Sequence, residues 1–87
     1  MQINKNAVIR YNVLDKCLSN PGRRYFIDDL VEACSNSIYD LTGNDNGIKR
    51  RQILEDIKFM ESPQGFNIEL DRKRDGHRVY FRYKDKS

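Results

Sequence analysis

GIKRRQILEDIKFM, residues 47–60, sets three cations, Lys49, Arg50 and Arg51, directly ahead of Ile53, Ile57 and Met60 at helical spacing. The apolar positions predict a helix over 48–60 with one buried face. Its charges run against local electrostatics. The macrodipole makes a helix N-terminus positive, so Lys and Arg belong in the last turn and carboxylates in the first. A local rule broken in this way points to a functional demand from outside the helix.

On the N-terminal side, TGNDNG (42–47) is loop chemistry, two glycines bracketing Asn and Asp. Ahead of it, IDDLVEACSNSIYDL (27–41) carries Ile27, Leu30, Val31, Cys34, Ile38 and Leu41 at helical period, with Asp28 and Asp29 in the favourable first turn. NAVIRYNVLDKCL (6–18) shows Ala7, Tyr11, Leu14 and Leu18, with Val13 and Cys17 alongside, which predicts an amphipathic helix capped by Asn4 or Asn6. It must stop before Asn20-Pro21-Gly22, because Pro disfavours helical geometry in the residue before it. Tyr25-Phe26 reads as a stub of strand. On the C-terminal side, Ser62-Pro63-Gln64-Gly65 ends the helix and the period switches to 2: Phe66, Ile68 and Leu70 alternate with polar residues. After a basic turn over 72–76, Val79, Phe81 and Tyr83 alternate with Arg78, Tyr80 and Arg82, and Asp75-Gly76 is a hairpin dipeptide. Helix, strand stub, helix, turn, helix and hairpin together make an α+β winged helix-turn-helix, a three-helix core with a C-terminal β-hairpin wing. The domain is expected over 1–83, and 84–87 has the character of a linker.

At 87 residues the chain has the length of one domain and buries only about 60% of the surface its unfolded form exposes. With 38% hydrophobic and 33% charged residues it is globular rather than disordered. No apolar run reaches the length of a bilayer span and the N-terminus lacks a signal-peptide core, so a cytoplasmic location is expected. Cys17 and Cys34 then read as buried, reduced thiols. One histidine, His77, and no Cys pair at ligand spacing argue against a metal site. No nucleophile stands beside a base, and there are no paired carboxylates and no phosphate loop, so neither a catalytic role nor a cofactor is expected.

Net charge is +3 with a sequence pI of about 9.0, and the excess is concentrated at Lys49 to Arg51 and Arg72 to Arg74. In a helix-turn-helix the second helix enters the DNA major groove with its N-terminal residues toward base edges. At 100° per residue, Arg51, Glu55 and Lys58 lie opposite Ile53, Ile57 and Met60, with Gln52 flanking them. Arg50 and Arg51 suit guanine O6 and N7, Gln52 suits adenine, and Lys49 suits a phosphate. Arg50, nearer the core edge, is equally placed to pair with a carboxylate. Glu55 could accept from cytosine N4 or orient Arg51 as its i, i+4 partner. Asp56, off the charged face, is expected in an intramolecular ion pair. Arg72, Lys73, Arg74 and Arg78, with a neutral surface His77, are placed at the tip of a basic wing over 71–78 that would lie on the DNA backbone or minor groove. The reading is sequence-specific binding of double-stranded DNA. Its rival is a winged helix used for protein contact, its cations merely solvated. No RRM-like aromatic motif favours RNA.

NKNAVIRYNVLDKCL, DDLVEAC, GIKRRQILEDIKFM and VYFRYKD, in that order and spacing, resemble the N-terminal winged helix of bacterial WYL-domain transcriptional regulators, particularly those of Bacteroides-type bacteria. The resemblance covers nearly the whole chain. It implies a DNA-binding domain of a transcriptional regulator, with effector binding and dimerisation supplied by a C-terminal domain absent from this chain. The family's Ser, basic, Arg, Thr pattern at the recognition-helix start maps onto Lys49, Arg50, Arg51 and Gln52. Arg51 and the later Asp56 agree with it, whereas Lys49 stands for the capping Ser, Gln52 for Thr, and Phe26 for the Thr cap of the second helix.

Overall fold

Leu14, Leu30, Ile53 and Ile57, one or two from each predicted helix, are all buried to within 1% of full occlusion and meet in one cluster with Met60 and Phe81. The computed structural model describes residues 5–20, 22–43 and 47–84. Within them run α1 (Lys5–Leu18), β1 (Tyr25–Phe26), α2 (Ile27–Thr42), α3 (Arg50–Glu61), β2 (Leu70–Asp75) and β3 (Arg78–Tyr83). The three strands form an antiparallel sheet in the order β1-β3-β2. The fold is α+β and has the winged helix arrangement. The expected roles of Asn4, Pro21, residues 44–46 and residues 85–87 fall outside the described residues. Asn6, the other expected cap of α1, lies inside the helix.

The apolar period buries one face of each helix. Leu14, Cys17 and Leu18 of α1 meet Leu30 and Cys34 of α2 and Ile53, Ile57 and Met60 of α3, and Phe81 closes the cluster from the sheet. Both thiols are free and buried, and desolvation pushes Cys34 up to about 12. Among the described residues, charge enters this interior at one place. Asp56 is 3% exposed, and its carboxylate accepts from Arg10 Nε at 2.5 Å and from Gln52 Nε2 at 3.0 Å. The expected ion pair of Asp56 exists, but its partner comes from α1, a helix distant in sequence. A carboxylate this deep is tolerable only with donors on both oxygens.

Three sequence expectations need correction. Helix α3 begins at Arg50 rather than Ile48, with extended Lys49 as N-cap (φ −108°, ψ 159°) and no side-chain cap. Periodicity alone does not separate the last extended residue from the first helical one. Second, Phe66 to Glu69 are not strand. Their backbone donors turn back onto the end of α3: Asn67 N–H to Ser62 O at 3.1 Å and Ile68 N–H to Met60 O at 3.0 Å. These bonds satisfy carbonyls that a helix end leaves open, and they outcompete pairing. Gly65 permits the return, since a Cβ there would sit 2.1 Å from Phe59 O. Phe66, 55% exposed, leans on Tyr11 and Phe59 instead of entering the main core.

The third correction concerns the wing. Arg72, Lys73 and Arg74 lie within β2, paired with Phe81, Tyr80 and Val79, and are not at its tip. Asp75 pairs with Arg78, leaving Gly76-His77 as a two-residue loop. Gly76 takes φ 66°, the positive value that primed hairpin turns require at this position.

Replacing Ile57 with Ala should cost about 2–5 kcal/mol, read from urea or thermal unfolding, because the site is fully buried. Asp56→Ala should cost about 3–5 kcal/mol by stranding Arg10, while the double change Arg10→Met with Asp56→Leu should recover most of that loss. Equal destabilisation of the single and double variants would contradict the pairing.

Candidate nucleic-acid interface

Helix α3 has no acid in its first turn, and the cations Lys49, Arg50 and Arg51 occupy its N-cap and first two positions. Burial of Ile53, Asp56, Ile57 and Met60 fixes which face is left for solvent. Arg51 is the most open of the helix's paired cations, its side chain 90% exposed, and among the described residues it is joined only to Glu55, at 3.4 Å. An exposed i, i+4 pair contributes about 0.3–0.5 kcal/mol, less than the 1–3 kcal/mol of a bidentate base contact, so it orients Arg51 without holding it back. Lys58 and Lys49 are exposed as well.

The remaining two candidates on α3 are differently placed. Arg50 donates Nε to Asp28 Oδ1 at 2.6 Å and Nη2 to Asp28 Oδ2 at 2.9 Å, a fork that ties the first turn of α3 to the first turn of α2. Gln52 is half-buried and gives its amide to Asp56. Both side chains are engaged within the protein, one at the surface and one at the core edge.

On the wing, strand register divides the candidates between two faces. Residues directly opposite share a face. Arg72 and Arg74 therefore share one face with Phe81 and Val79, whereas Lys73 and Arg78 share the other with Tyr80 and Asp75, and Arg78, next to the turn, also reaches the opening between helix and wing. Arg72 forms a two-pronged ion pair with Glu61 at the end of α3, one arm at 3.1 Å, and lies 5.7 Å from the Phe81 ring centroid. The Glu61 hydrogen bond raises its pKa. Arg74 and Lys73 are exposed. Arg78 stacks its guanidinium 3.7 Å from the Phe26 ring centroid, which fixes its position while leaving its edge donors open.

Helix and wing enclose a cleft of about 370 Å³, with Arg50 and Leu54 on the helix and His77, Arg78 and Val79 on the wing. The structure thus brings Arg50 and the wing tip to one opening, places Lys49 and Arg51 at a second opening beside Arg10, Gln52 and Glu55, and sets Arg72 apart as a brace between strand and helix.

The sequence reading missed Arg23 and Arg24. They precede β1, whose pairing with β3 carries them to the wing. Arg24 reaches Asp75 at 3.2 Å and lies over Tyr80, and Arg23 lies over Tyr25. A basic pair in a short loop was visible, but only a cross-sheet pairing between distant segments joins it to the hairpin. Asp28 was seen as a favourable helix-start charge and not as the partner of Arg50. Among the described residues no group of His, Cys, Asp and Glu could hold a metal, and no helix is long and apolar enough to cross a membrane.

Comparison with curated proteins and with solved structures returned no match. The family comparison did: residues 6–84 fit the model of the N-terminal winged helix domain of WYL domain-containing proteins, which takes in all three helices and the complete wing. By that match, spanning nearly its entire length, the chain belongs to the family of WYL-domain N-terminal winged helix domains.

Proposed function

We propose that this chain binds double-stranded DNA sequence-specifically as the N-terminal domain of a bacterial transcriptional regulator, with α3 in the major groove and the wing on the backbone or minor groove. The observation that carries the reading is the face of α3 bearing Arg51, Glu55 and Lys58, which is exposed opposite the buried Ile53, Ile57 and Met60 and beside a wing with open cations. Family membership supports a DNA-binding regulator role. The charge argument agrees with it. Cations at a helix N-terminus cost about 0.3–1 kcal/mol against the dipole, and neutralising several phosphates outweighs this.

Within this reading Arg51 reads a base edge, Glu55 orients it or accepts from cytosine, and Lys49 and Lys58 meet phosphates. Lys73, Arg74 and Arg78 anchor the wing. Arg50 and Gln52 contact DNA only by exchanging Asp28 and Asp56 for it, and Arg72 only by leaving Glu61. The domain occupies 1–83, followed by a linker from Lys84 to a C-terminal domain that binds an effector and supplies dimer symmetry. The domain works in the cytoplasm as a binding module without catalysis.

Selection from a random duplex pool gives the preferred site. On it, Arg51→Ala should lose about 1–3 kcal/mol and much less on random duplex, flattening specificity. Arg74→Ala should weaken both duplexes about equally and lower the slope of log affinity against log salt by about one unit. Identical behaviour of the two variants would contradict the division of labour. Absence of any salt-dependent duplex binding would favour the protein-contact reading.

A further inference from the structure

Leu54 is 49% exposed one turn into α3, and Val79 is 37% exposed on the wing strand; both border the cleft between helix and wing. A single exposed leucine is ordinary on a protein surface. Two observations set this one apart. Arg50, the side chain in this cleft otherwise suited to a base edge, is engaged by Asp28, which leaves Leu54 as the cleft's outward residue on α3. The apolar pair is also framed by cations, with Arg50 and Arg78 lining the same cleft and Arg51 and Lys58 on the open face of the same helix.

A partner that fits must be polyanionic and must also display small apolar groups. Of the groups that a DNA major groove presents to a helix, the 5-methyl of thymine is the apolar one. At 100° per residue, Leu54 falls between Arg50 and Lys58, on the wing side of the outward face. We propose that Leu54, with Val79 closing the far wall, is a specificity-determining contact for a thymine 5-methyl group. This rests on the double-stranded DNA reading above and deepens it: part of the sequence preference is apolar, and it comes from a position outside the basic run.

The test replaces each thymine of the selected site, one at a time, with deoxyuridine, which keeps every hydrogen-bonding group and removes only the methyl. At one or two positions the parent chain should lose about fourfold in affinity, the effect of one buried methyl. Leu54→Ala should bind the thymine and deoxyuridine forms of those positions alike, and Leu54→Met should keep the discrimination. Unchanged thermal melting of both variants shows that the fold is intact, as the exposure of Leu54 leads one to expect. Selected sites without thymine overturn the proposal, as does a parent indifferent to demethylation or a Leu54→Ala variant that still discriminates. A uniform loss across all duplexes in Leu54→Ala overturns it in favour of a sugar-phosphate contact. In each of these cases DNA binding itself survives. A parent that binds no duplex defeats the DNA reading and this contact together.

Discussion

The buried carboxylate of Asp56, held by Arg10 from α1 and Gln52 from its own helix, governs how α3 sits on the rest of the molecule. Ile53, Ile57 and Met60 decide which face of α3 turns inward, but contact between apolar side chains is non-directional and tolerates small rotations. A carboxylate that is 3% exposed has no such latitude, because losing either donor leaves charge or a lone pair unpaired in the interior. The pair therefore selects one rotation of the helix. Burial of Ile53 and Ile57 already turns Arg51, Glu55 and Lys58 outward, and the pair sets their final bearing.

The two helices of the helix-turn-helix solve their N-termini in opposite ways. Helix α2 has Asp28 and Asp29 in its first turn, and Asp29 accepts from the Phe26 N–H at 3.0 Å, half of a capping box without a capping hydroxyl. Helix α3 has cations and no cap. The Arg50–Asp28 fork lets the acid at one helix start offset a cation at the other, so the net burden on α3 falls to Lys49 and Arg51. Arg51 keeps an exposed pair with Glu55, and both cations remain accessible to a negative partner.

The wing depends on α3 as well. Residues 62–68 cap the helix before the chain enters β2, which delays the strand to Leu70 and sets the length of the hairpin. Arg72 then fastens β2 to Glu61, and β1 flanks β3 on the other edge. Because strand residues alternate faces, one basic run divides into a brace, an exposed arginine opposite Val79 and a lysine on the other face. Cations adjacent in sequence thus do different work.

The sequence by itself determined the helices, the strand stub at Tyr25-Phe26, the existence of the hairpin and the buried apolar set Ile53, Ile57 and Met60 on α3. Each follows from local periodicity or turn chemistry, and short-range patterns suffice for them. It also determined that Arg51 and Lys58 point away from the core, since helical geometry permits nothing else once Ile53 and Ile57 are buried. Only the tertiary structure decided who pairs with whom. Arg10 with Asp56, Arg50 with Asp28 and Arg72 with Glu61 join different elements, and no spacing rule within one helix predicts them. The start of β2 was illegible for a related reason: Phe66 and Ile68 alternate as a strand should, yet the backbone N–H groups of Asn67 and Ile68 serve the end of α3, a competition settled by which unsatisfied groups lie nearby in space.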